Sequence, residues 1–492
     1  MGWTIALIAL AAVVLIVALV VLLRGMTFAQ PLTEVEEIEL VDVEKEVVAE
    51  HLGELLRIRT ISLDENAPVE RAAFHEMHRT LEKLYPRVHS SLEIHHINDC
   101  SLIYIWRGKN PDLPPRVLAG HMDVVPVDSD ADVTWSYPPF SGQVAEDYLW
   151  GRGAMDDKCQ VMGVLEALEG LLKVDYQPER TLIAAFGHDE EVGGYHGAKE
   201  IVAWLAEAGL VPDAVLDEGG AVVDGLLPGI EISSAMVGVA EKGVLTLELS
   251  VEARGGHSST PERETAISVL AKAIAQLEAN PQPAHIDAVM PMFRSLGAAL
   301  PFSQQLVFAN QWLFGGVLKN KLEASPSTNA TIRTTLAATM IKGGVKENIL
   351  PRTAQALVNI RLLPGDTIAE VCERVRKIIG DERVKLQAKE GCAWEASPVS
   401  PIDGPAFESL ELTIRQVFDS VPVTPYVVLG ATDSRHYADL CPQVYRFTPY
   451  LVDSTDLKRM HGVDERISLD SLSSMVQFYR LLIIRWFGAE ED

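Results

Sequence analysis

Short apolar runs alternate with stretches of helical spacing in the first half of the chain. The runs at 116–120, 180–187 and 213–219 are short and continuous, which is typical of buried strands. Between them, segments 159–173 and 197–209 place apolar residues three and four positions apart, as an amphipathic helix does. This alternation predicts an α/β fold with a mostly parallel sheet and helices on both faces.

The pattern changes at about residue 243. Apolar and polar residues now alternate at period two, and two helical segments interrupt them. The predicted order is β-α-β-β-α-β, an α+β unit in which one sheet face is solvated. Its strands are predicted at 244–253, 330–340, 354–365 and 384–389, and its helices at 264–279 and 367–380.

Segments 25–242 and 390–492 share the first pattern, so we predict one catalytic domain in two parts. Segment 243–389 would then be an inserted lid and dimerisation domain. Within it, 291–318 is unusually apolar. Two interpretations stay open for that segment: helices of a core, or a groove for an acyl chain.

The N-terminus is a separate element. Residues 3–24 carry no charge before Arg24, and about 20 apolar residues in a helix suffice to cross a bilayer. A cleaved signal peptide is the alternative, but a basic n-region and a clear A-x-A site are missing from the sequence. We therefore predict a single-pass membrane anchor. Arg24 and the α-amino group give opposing signals for orientation, and we favour the extracytoplasmic side.

Charge and cysteine usage narrow the function classes. The formal net charge is −27, which argues against nucleic acid as a partner because binding phosphates requires a basic surface. The five cysteines are scattered and form no CxxC pair, so neither a zinc ribbon nor a disulfide framework is indicated.

Polar residues cluster where the predicted strands end. Taken singly, a histidine there is often only hydrogen-bonded, and aspartates before a helix are often N-caps. Together they would meet at one edge of a parallel sheet, and mixed imidazole and carboxylate ligation suits zinc, manganese or cobalt. The residues are His121 and Asp123, Asp156 and Asp157, Glu190 and Glu191, Asp217 and Glu218, and His461 far along the chain.

A series of motifs makes the chain resemble a known family. It is similar to the co-catalytic zinc metallopeptidases that include aminoacylase, carboxypeptidase S, carnosinase and succinyl-diaminopimelate desuccinylase. With its apolar N-terminus and long insertion it most resembles the carboxypeptidase S and N-fatty-acyl-amino-acid synthase/hydrolase branch. The motifs span roughly residues 50–485 in order: LAGHMDVVP, GRGAMDDK, GHDEEVGG, LDEGG, GGHSSTP, NILP and KRMHGVDE.

The resemblance implies a metal centre with two zinc ions, or cobalt or manganese in their place. His121 and Asp217 would bind one metal, Glu191 and His461 the other, and Asp156 would bridge the two.

The resemblance also implies catalytic roles. Glu190 would be the general base and acid, and Asp123 would orient His121. The peptide between Asp156 and the next residue would be cis. His257, in the inserted domain, would stabilise the oxyanion, in dimeric relatives from the partner's side. Simple turn chemistry is the alternative for this histidine.

Three further residues are implied as the substrate-binding set: Asn348, Arg361 and Arg435. We prefer Arg361 for a free carboxylate, because a guanidinium can hold it with two parallel hydrogen bonds. An ordinary solvated arginine on an alternating strand is the other interpretation.

The predicted function is hydrolysis of the amide bond of N-acyl amino acids or of C-terminal dipeptide bonds, possible in reverse for fatty-acyl amino acids. A membrane-tethered binding protein on an inactive peptidase fold is the alternative from another class. Phosphoester hydrolysis, a third possibility, would require more basic groups than these motifs supply. A homodimer through the inserted domain is implied by the resemblance.

Overall fold

The computed structural model of the chain describes residues 2–29, 35–64, 67–127, 134–225, 232–453 and 455–489. Its helices are α1 Gly2–Met26, α2 Lys45–Leu56, α3 Arg71–Leu84, α4 Pro86–Ser91, α5 Lys158–Leu172, α6 Ala198–Glu207, α7 Ala266–Ala279, α8 Met290–Ser295, α9 Phe302–Ala309, α10 Gln311–Glu323, α11 Pro326–Thr331, α12 Ile368–Ile379, α13 Pro405–Val417, α14 Ser434–Tyr437 and α15 Leu469–Phe487.

The strands form a large sheet, a four-stranded sheet and two small ribbons. They are β1 Glu93–Ile97, β2 Ser101–Trp106, β3 Arg116–His121, β4 Gln143–Ala145, β5 Tyr148–Trp150, β6 Leu182–Gly187, β7 Ala214–Asp217, β8 Ala221–Val223, β9 Ser234–Glu241, β10 Gly243–Glu252, β11 Gly256–His257, β12 Thr335–Gly343, β13 Ile349–Leu350, β14 Thr353–Leu362, β15 Val384–Trp394, β16 Val423–Val428, β17 Val444–Arg446, β18 Leu451–Val452 and β19 Arg466–Ser468.

The large sheet confirms the predicted α/β fold. Its order is β1-β2-β6-β3-β7-β17-β9-β8-β18, with β16 also paired to β9. The four central strands, β6, β3, β7 and β17, run parallel, and antiparallel pairs lie towards both edges. The three predicted buried strands are β6, β3 and β7, so their carboxyl ends lie side by side.

Helices cover both faces of this sheet. Successive side chains of a strand point to opposite faces, so each central strand contributes apolar residues to two cores. On one face Leu118 and Ala184 belong to the main core, against which α5 and α15 pack. On the other face Val117 and Ile183 contact the core under α6. With both faces covered, the central strands are buried along their whole length.

The second sheet has the predicted β-α-β-β-α-β order. Its strands are arranged β12-β14-β10-β15, all antiparallel, and α7 and α12 pack on one face. Both helices begin with a capping box, at Thr265 and Thr367, which satisfies N–H groups of the first turn. β12 begins at Thr335 rather than at 330, because 326–331 forms α11.

Helices α8–α11 separate the second sheet's first helix from β12, and they pack elsewhere. Their buried residues, such as Phe293, Phe308 and Leu322, belong to the core of the large sheet, while β10, β14, α7 and α12 form a core of their own. The apolar segment 291–318 therefore contributes core helices, the first of its two interpretations. The boundaries of the inserted domain stay predictions.

Helix α1 is long and apolar. Residues Trp3–Met26 have a mean hydropathy of 3.5 over their most apolar window and are unburied there, so this helix could cross a membrane by length and composition. A signal sequence would meet the same criteria.

Candidate metal centre

The site lies at the carboxyl ends of β3, β6 and β7. His121 ends β3, the Glu190–Glu191 pair follows β6 by three residues, and Asp217 ends β7. Parallel neighbours end at one edge, where the backbone is no longer covered by helices, so polar side chains can converge there. The loop before α5 adds Asp156, and a loop before β19 adds His461.

Two groups of potential ligands share one carboxylate. His121 Nε2 lies 3.0 Å from Asp156 Oδ1 and 3.4 Å from Glu218 Oε1. His461 Nε2 lies 2.8 Å from Asp156 Oδ2 and 3.2 Å from Glu191 Oε2. Within each group the ligand atoms are all within 4.8 Å of one another. Asp156 thus uses one oxygen towards each group, which is the arrangement that a bridging carboxylate requires.

At one predicted ligand position the neighbouring acid lies closer: the structure brings Glu218 and not Asp217 next to His121. Asp217 Oδ2 lies 3.4 Å from the hydroxyl of Thr432, and Asp217 Oδ1 is buried without a hydrogen-bond partner among the described residues. Consecutive residues at a strand end point to opposite sides, so only one of the two acids can face His121. The LDEGG motif contains both acids, and the residue at which β7 ends decides which of the two faces His121.

The adjacent acids Glu190 and Glu191 lie on a single 3-10 turn beyond the end of β6. The turn ends at Gly193 and Gly194, whose φ angles of 111° and 65° favour glycine. Leaving the strand lets both carboxylates reach the same site. Glu191 Oε2 faces His461, while Glu190 Oε2 lies 4.0 Å from His121 Nε2 and belongs to neither ligand group.

Asp123 contacts both His121 and the turn that carries Glu190 and Glu191. Its carboxylate oxygens accept hydrogen bonds from the backbone N–H groups of Glu190 and Glu191, each at 3.2 Å. One of these oxygens also lies 3.3 Å from Nδ1 of His121. Asp123 therefore lies against the imidazole of His121 and also holds the turn that carries the two glutamates; its role in orienting His121 stays a prediction.

Burial makes this cluster of acids costly to ionise. Burial, with a contribution from Asp156, raises the pKa of Glu218 to about 8, and burial raises the pKa of Glu190 well above its usual range. The hydrogen bonds that the His461 imidazole donates to Asp156 and Glu191 raise its pKa to about 10. Divalent cations would offset this cost, because a cation supplies the positive field that buried carboxylates lack. The donor set of two imidazoles and three carboxylates fits zinc.

A buried ion pair that the sequence did not reveal positions Asp156. Glu465 Oε2 pairs with Arg152 at 2.5 Å, and its other oxygen accepts from the backbone N–H groups of Met155 and Asp156 at 2.9 and 3.3 Å. Glu465 thereby ties the loop of Asp156 to the loop of His461. The peptide between Asp156 and Asp157 is cis, as expected.

Two arginines lie together beside the acidic turn. Arg435 donates to the carbonyl oxygen of Gly193, and its guanidinium lies 4.3 Å from the ring centroid of Trp394. Burial and the nearby charge of Arg435 lower the pKa of Arg361. The charge of Arg435 thus acts on Arg361, and an anion near both guanidinium groups would offset their repulsion.

A second buried ion pair holds the loop of Arg435. Arg446 pairs with Glu241 at 2.9 Å, and the same carboxylate accepts from the backbone N–H of Thr432 at 2.9 Å. The sequence did not reveal this pair, since the two residues are about 200 positions apart.

His257 lies on β11 and Asn348 directly before β13, the two strands of a separate ribbon. His257 is exposed, and its Nδ1 accepts from the backbone N–H of Ser259 at 3.1 Å. Asn348 is exposed, and its carbonyl oxygen accepts from Ser258. No hydrogen bond or ion pair joins either residue to the candidate ligands in the part of the chain that the structure describes. Their roles stay predictions.

Comparison with known proteins finds relatives that agree with one another. The model of peptidase family M20/M25/M40 matches residues 117–485. The N-fatty-acyl-amino acid synthase/hydrolase PM20D1 of Xenopus tropicalis is 41% identical over 90% of this chain and 87% of its own length. A probable carboxypeptidase S-like protein 2 of Dictyostelium discoideum is 38% identical over 89% of this chain and 84% of its own. Among solved structures, an M20 family metallo-carboxypeptidase from Sulfolobus solfataricus aligns with a TM-score of 0.63 at 16% identity, covering 90% of this chain and 99% of that one.

Proposed function

The chain belongs to peptidase family M20/M25/M40 and is a metal-dependent hydrolase, and from this premise we propose its substrate, its metal ligands and its catalytic residues. The substrate is an N-acyl amino acid or a peptide with a free C-terminal carboxylate, and the bond that is hydrolysed is the amide next to that amino acid. The names of these relatives, an N-fatty-acyl-amino acid synthase/hydrolase and a carboxypeptidase S-like protein, support both members of this substrate class.

Two zinc ions are proposed, with cobalt or manganese as substitutes. His121 and Glu218 would hold one ion, Glu191 and His461 the other, and Asp156 would hold both. The observation that carries this proposal is the position of Asp156, whose two oxygens lie 3.0 and 2.8 Å from Nε2 of His121 and His461. Glu218 replaces Asp217 in our assignment because only Glu218 faces His121. When bound, the ions supply Lewis-acid polarisation of the amide carbonyl and acidify water.

Glu190 is proposed as the general base and acid. Its carboxylate stands at the metal centre without belonging to a ligand group, and burial raises its pKa, which makes it a stronger proton acceptor. Glu190 Oε2 would take the proton of the attacking water and deliver it to the departing amide nitrogen. The Asp123 carboxylate would keep the turn of Glu190 in place during both transfers.

Arg361 and Arg435 are proposed to bind the free carboxylate of the substrate. Replacing Arg361 by Ala should lower kcat/KM for an N-acyl amino acid by roughly 10- to 150-fold, since hydrogen bonds to charged groups contribute about 1.5–3 kcal/mol. The primary amide of the same compound lacks the carboxylate, so the same replacement should lower kcat/KM for it only little. Steady-state kinetics of both compounds measures the difference.

Arg352→Ala is the matched control, because Arg352 is an exposed arginine of the same inserted segment. Its kinetics should equal those of the wild type. An equal loss on acid and amide for Arg361→Ala, or no loss on either, would remove Arg361 from the substrate site.

An inactive, membrane-tethered binding protein on this fold is disfavoured, because binding alone does not require a proton-transfer group such as Glu190. Here Glu190 is present along with every candidate ligand. We also propose that α1 is retained as a single-pass anchor, with the extracytoplasmic side favoured. A homodimer through the inserted domain is supported by the edge strand β12, where Met340 and Ile341 are each 65% exposed.

A further inference from the structure

Helix α1 does not stand apart from the folded chain. Its last turns pack on α9: the side-chain amide of Asn310 donates to the carbonyl oxygen of Val21 at 3.0 Å, and a Cβ at Gly25 would come within 2.5 Å of Leu306. Phe28, just beyond the helix, stacks on Phe308 with ring centroids 6.2 Å apart. The α9–α10 hairpin (302–323) therefore lies beside the point where α1 ends.

The hairpin is in turn fixed to the large sheet's core. Phe308 stacks on Phe293 with centroids 3.9 Å apart, and Leu318 and Leu322 are buried. At its end, Arg333 forms an ion pair with Glu323. The hairpin thus connects α1 with the core of the large sheet.

The opposite side of the hairpin is apolar and exposed. Phe302 is 45% exposed, Trp312 55%, Leu313 48% and Val317 66%. Such a group of large side chains is unusual on the surface of a monomeric soluble domain and marks a contact surface. On α10, Leu313 and Val317 are four residues apart and share one side of the helix, and Trp312 lies roughly a quarter turn from Leu313.

Charge around this surface is equally unusual. The chain has 69 acidic residues, yet 288–322 contains none, while it has Arg294, Lys319 and Lys321. Both lysines are exposed and follow the apolar residues along α10. An apolar face with a tryptophan and flanking lysines matches the interface of a bilayer, where indole rings and ammonium groups are favoured next to anionic headgroups.

We propose that the exposed face of the α9–α10 hairpin inserts into the surface of the bilayer that α1 spans. The occupant is the lipid itself, because the contact with residues 21–28 of α1 holds this face at the level where the transmembrane helix leaves the hydrocarbon. The proposal rests on the proposed anchor. It gives the catalytic domain two attachments, a spanning helix and an interfacial hairpin, and so a fixed orientation on the membrane.

The test uses the full chain in nanodiscs that contain phosphatidylglycerol, with an environment-sensitive fluorophore on one introduced cysteine. The half-buried Cys372 and Cys392 are first changed to Ser to remove labelling elsewhere. Probes at Leu313→Cys and Val317→Cys report on the hairpin. Val211→Cys is the matched control, an exposed apolar position after α6 that is 49% exposed.

Lipids with a quencher near the headgroup should reduce emission at 313 and 317 and leave 211 unchanged. Val13→Cys, in the middle of α1, separates the two proposals with a second lipid that carries its quencher on the acyl chain: if that lipid does not quench position 13, the anchor itself is wrong. Quenching at 13 without quenching at 313 and 317 would overturn the hairpin proposal alone. A blue shift at 313 and 317 without lipid quenching would also overturn it, since it would indicate a second protein copy on this face.

Discussion

Replacing Glu190 by Gln should lower kcat by about 10²- to 10⁴-fold while the metal content of the chain stays unchanged, the range expected when a general acid–base group is removed. Gln keeps the shape of the side chain but can neither accept nor return a proton at the former carboxylate. Glu190 lies outside both ligand groups, so no ligand is lost with it. Single-turnover kinetics and metal analysis on the same sample measure both quantities.

The neighbouring residue provides the control for this experiment. Glu191→Gln should lose activity through loss of metal, because Glu191 Oε2 faces His461 in the second ligand group. The two variants should therefore lose activity for different reasons: Glu190→Gln through loss of proton transfer, and Glu191→Gln through loss of metal. Near wild-type kcat in Glu190→Gln would show that another group transfers the proton.

Replacing Glu218 by Gln should weaken metal binding by more than the 10- to 100-fold that changing a hydrogen-bond partner of a ligand typically costs. Its carboxylate is one of the three groups proposed to hold one ion, and the neutral amide is a much poorer ligand. Competition with a chromophoric chelator measures the affinity of each ion. Turnover should fall together with occupancy.

Asp217→Asn is the paired variant at the next position. Asp217 is buried behind the site against Thr432, so its replacement should weaken metal binding much less than Glu218→Gln does. The opposite order of the two affinities would restore Asp217 as the ligand and remove Glu218.

Much of this site could be predicted from the sequence, because it depends on where strands end. Apolar runs defined β3, β6 and β7, and parallel pairing brings their carboxyl ends together without any further information. The adjacency of Glu190 and Glu191 was also informative. Two neighbours cannot face the same side from a regular strand, so a turn after β6 was required, and glycines were present to form it.

Other features depend on distances that the sequence does not contain. The choice between Asp217 and Glu218 rests on one residue of register at the end of β7, which no local pattern fixes. The ion pair of Arg152 with Glu465 joins residues about 300 positions apart. Helices α8–α11 fall within the predicted insertion because of their place in the sequence, yet their apolar side chains pack on the large sheet's core.

The most direct test of the account is metal removal and return on the wild-type chain. The protein is stripped with a chelator, refilled with zinc, and assayed by mass spectrometry on N-acetyl and N-oleoyl amino acids and on a Gly-Leu-type dipeptide. We predict that the stripped chain stays folded and inactive, and that two zinc ions per chain restore hydrolysis of at least one compound. Hydrolysis by the stripped chain, or none by the chain with two zinc ions, would contradict the assignment of this site as a metal-dependent amide hydrolase.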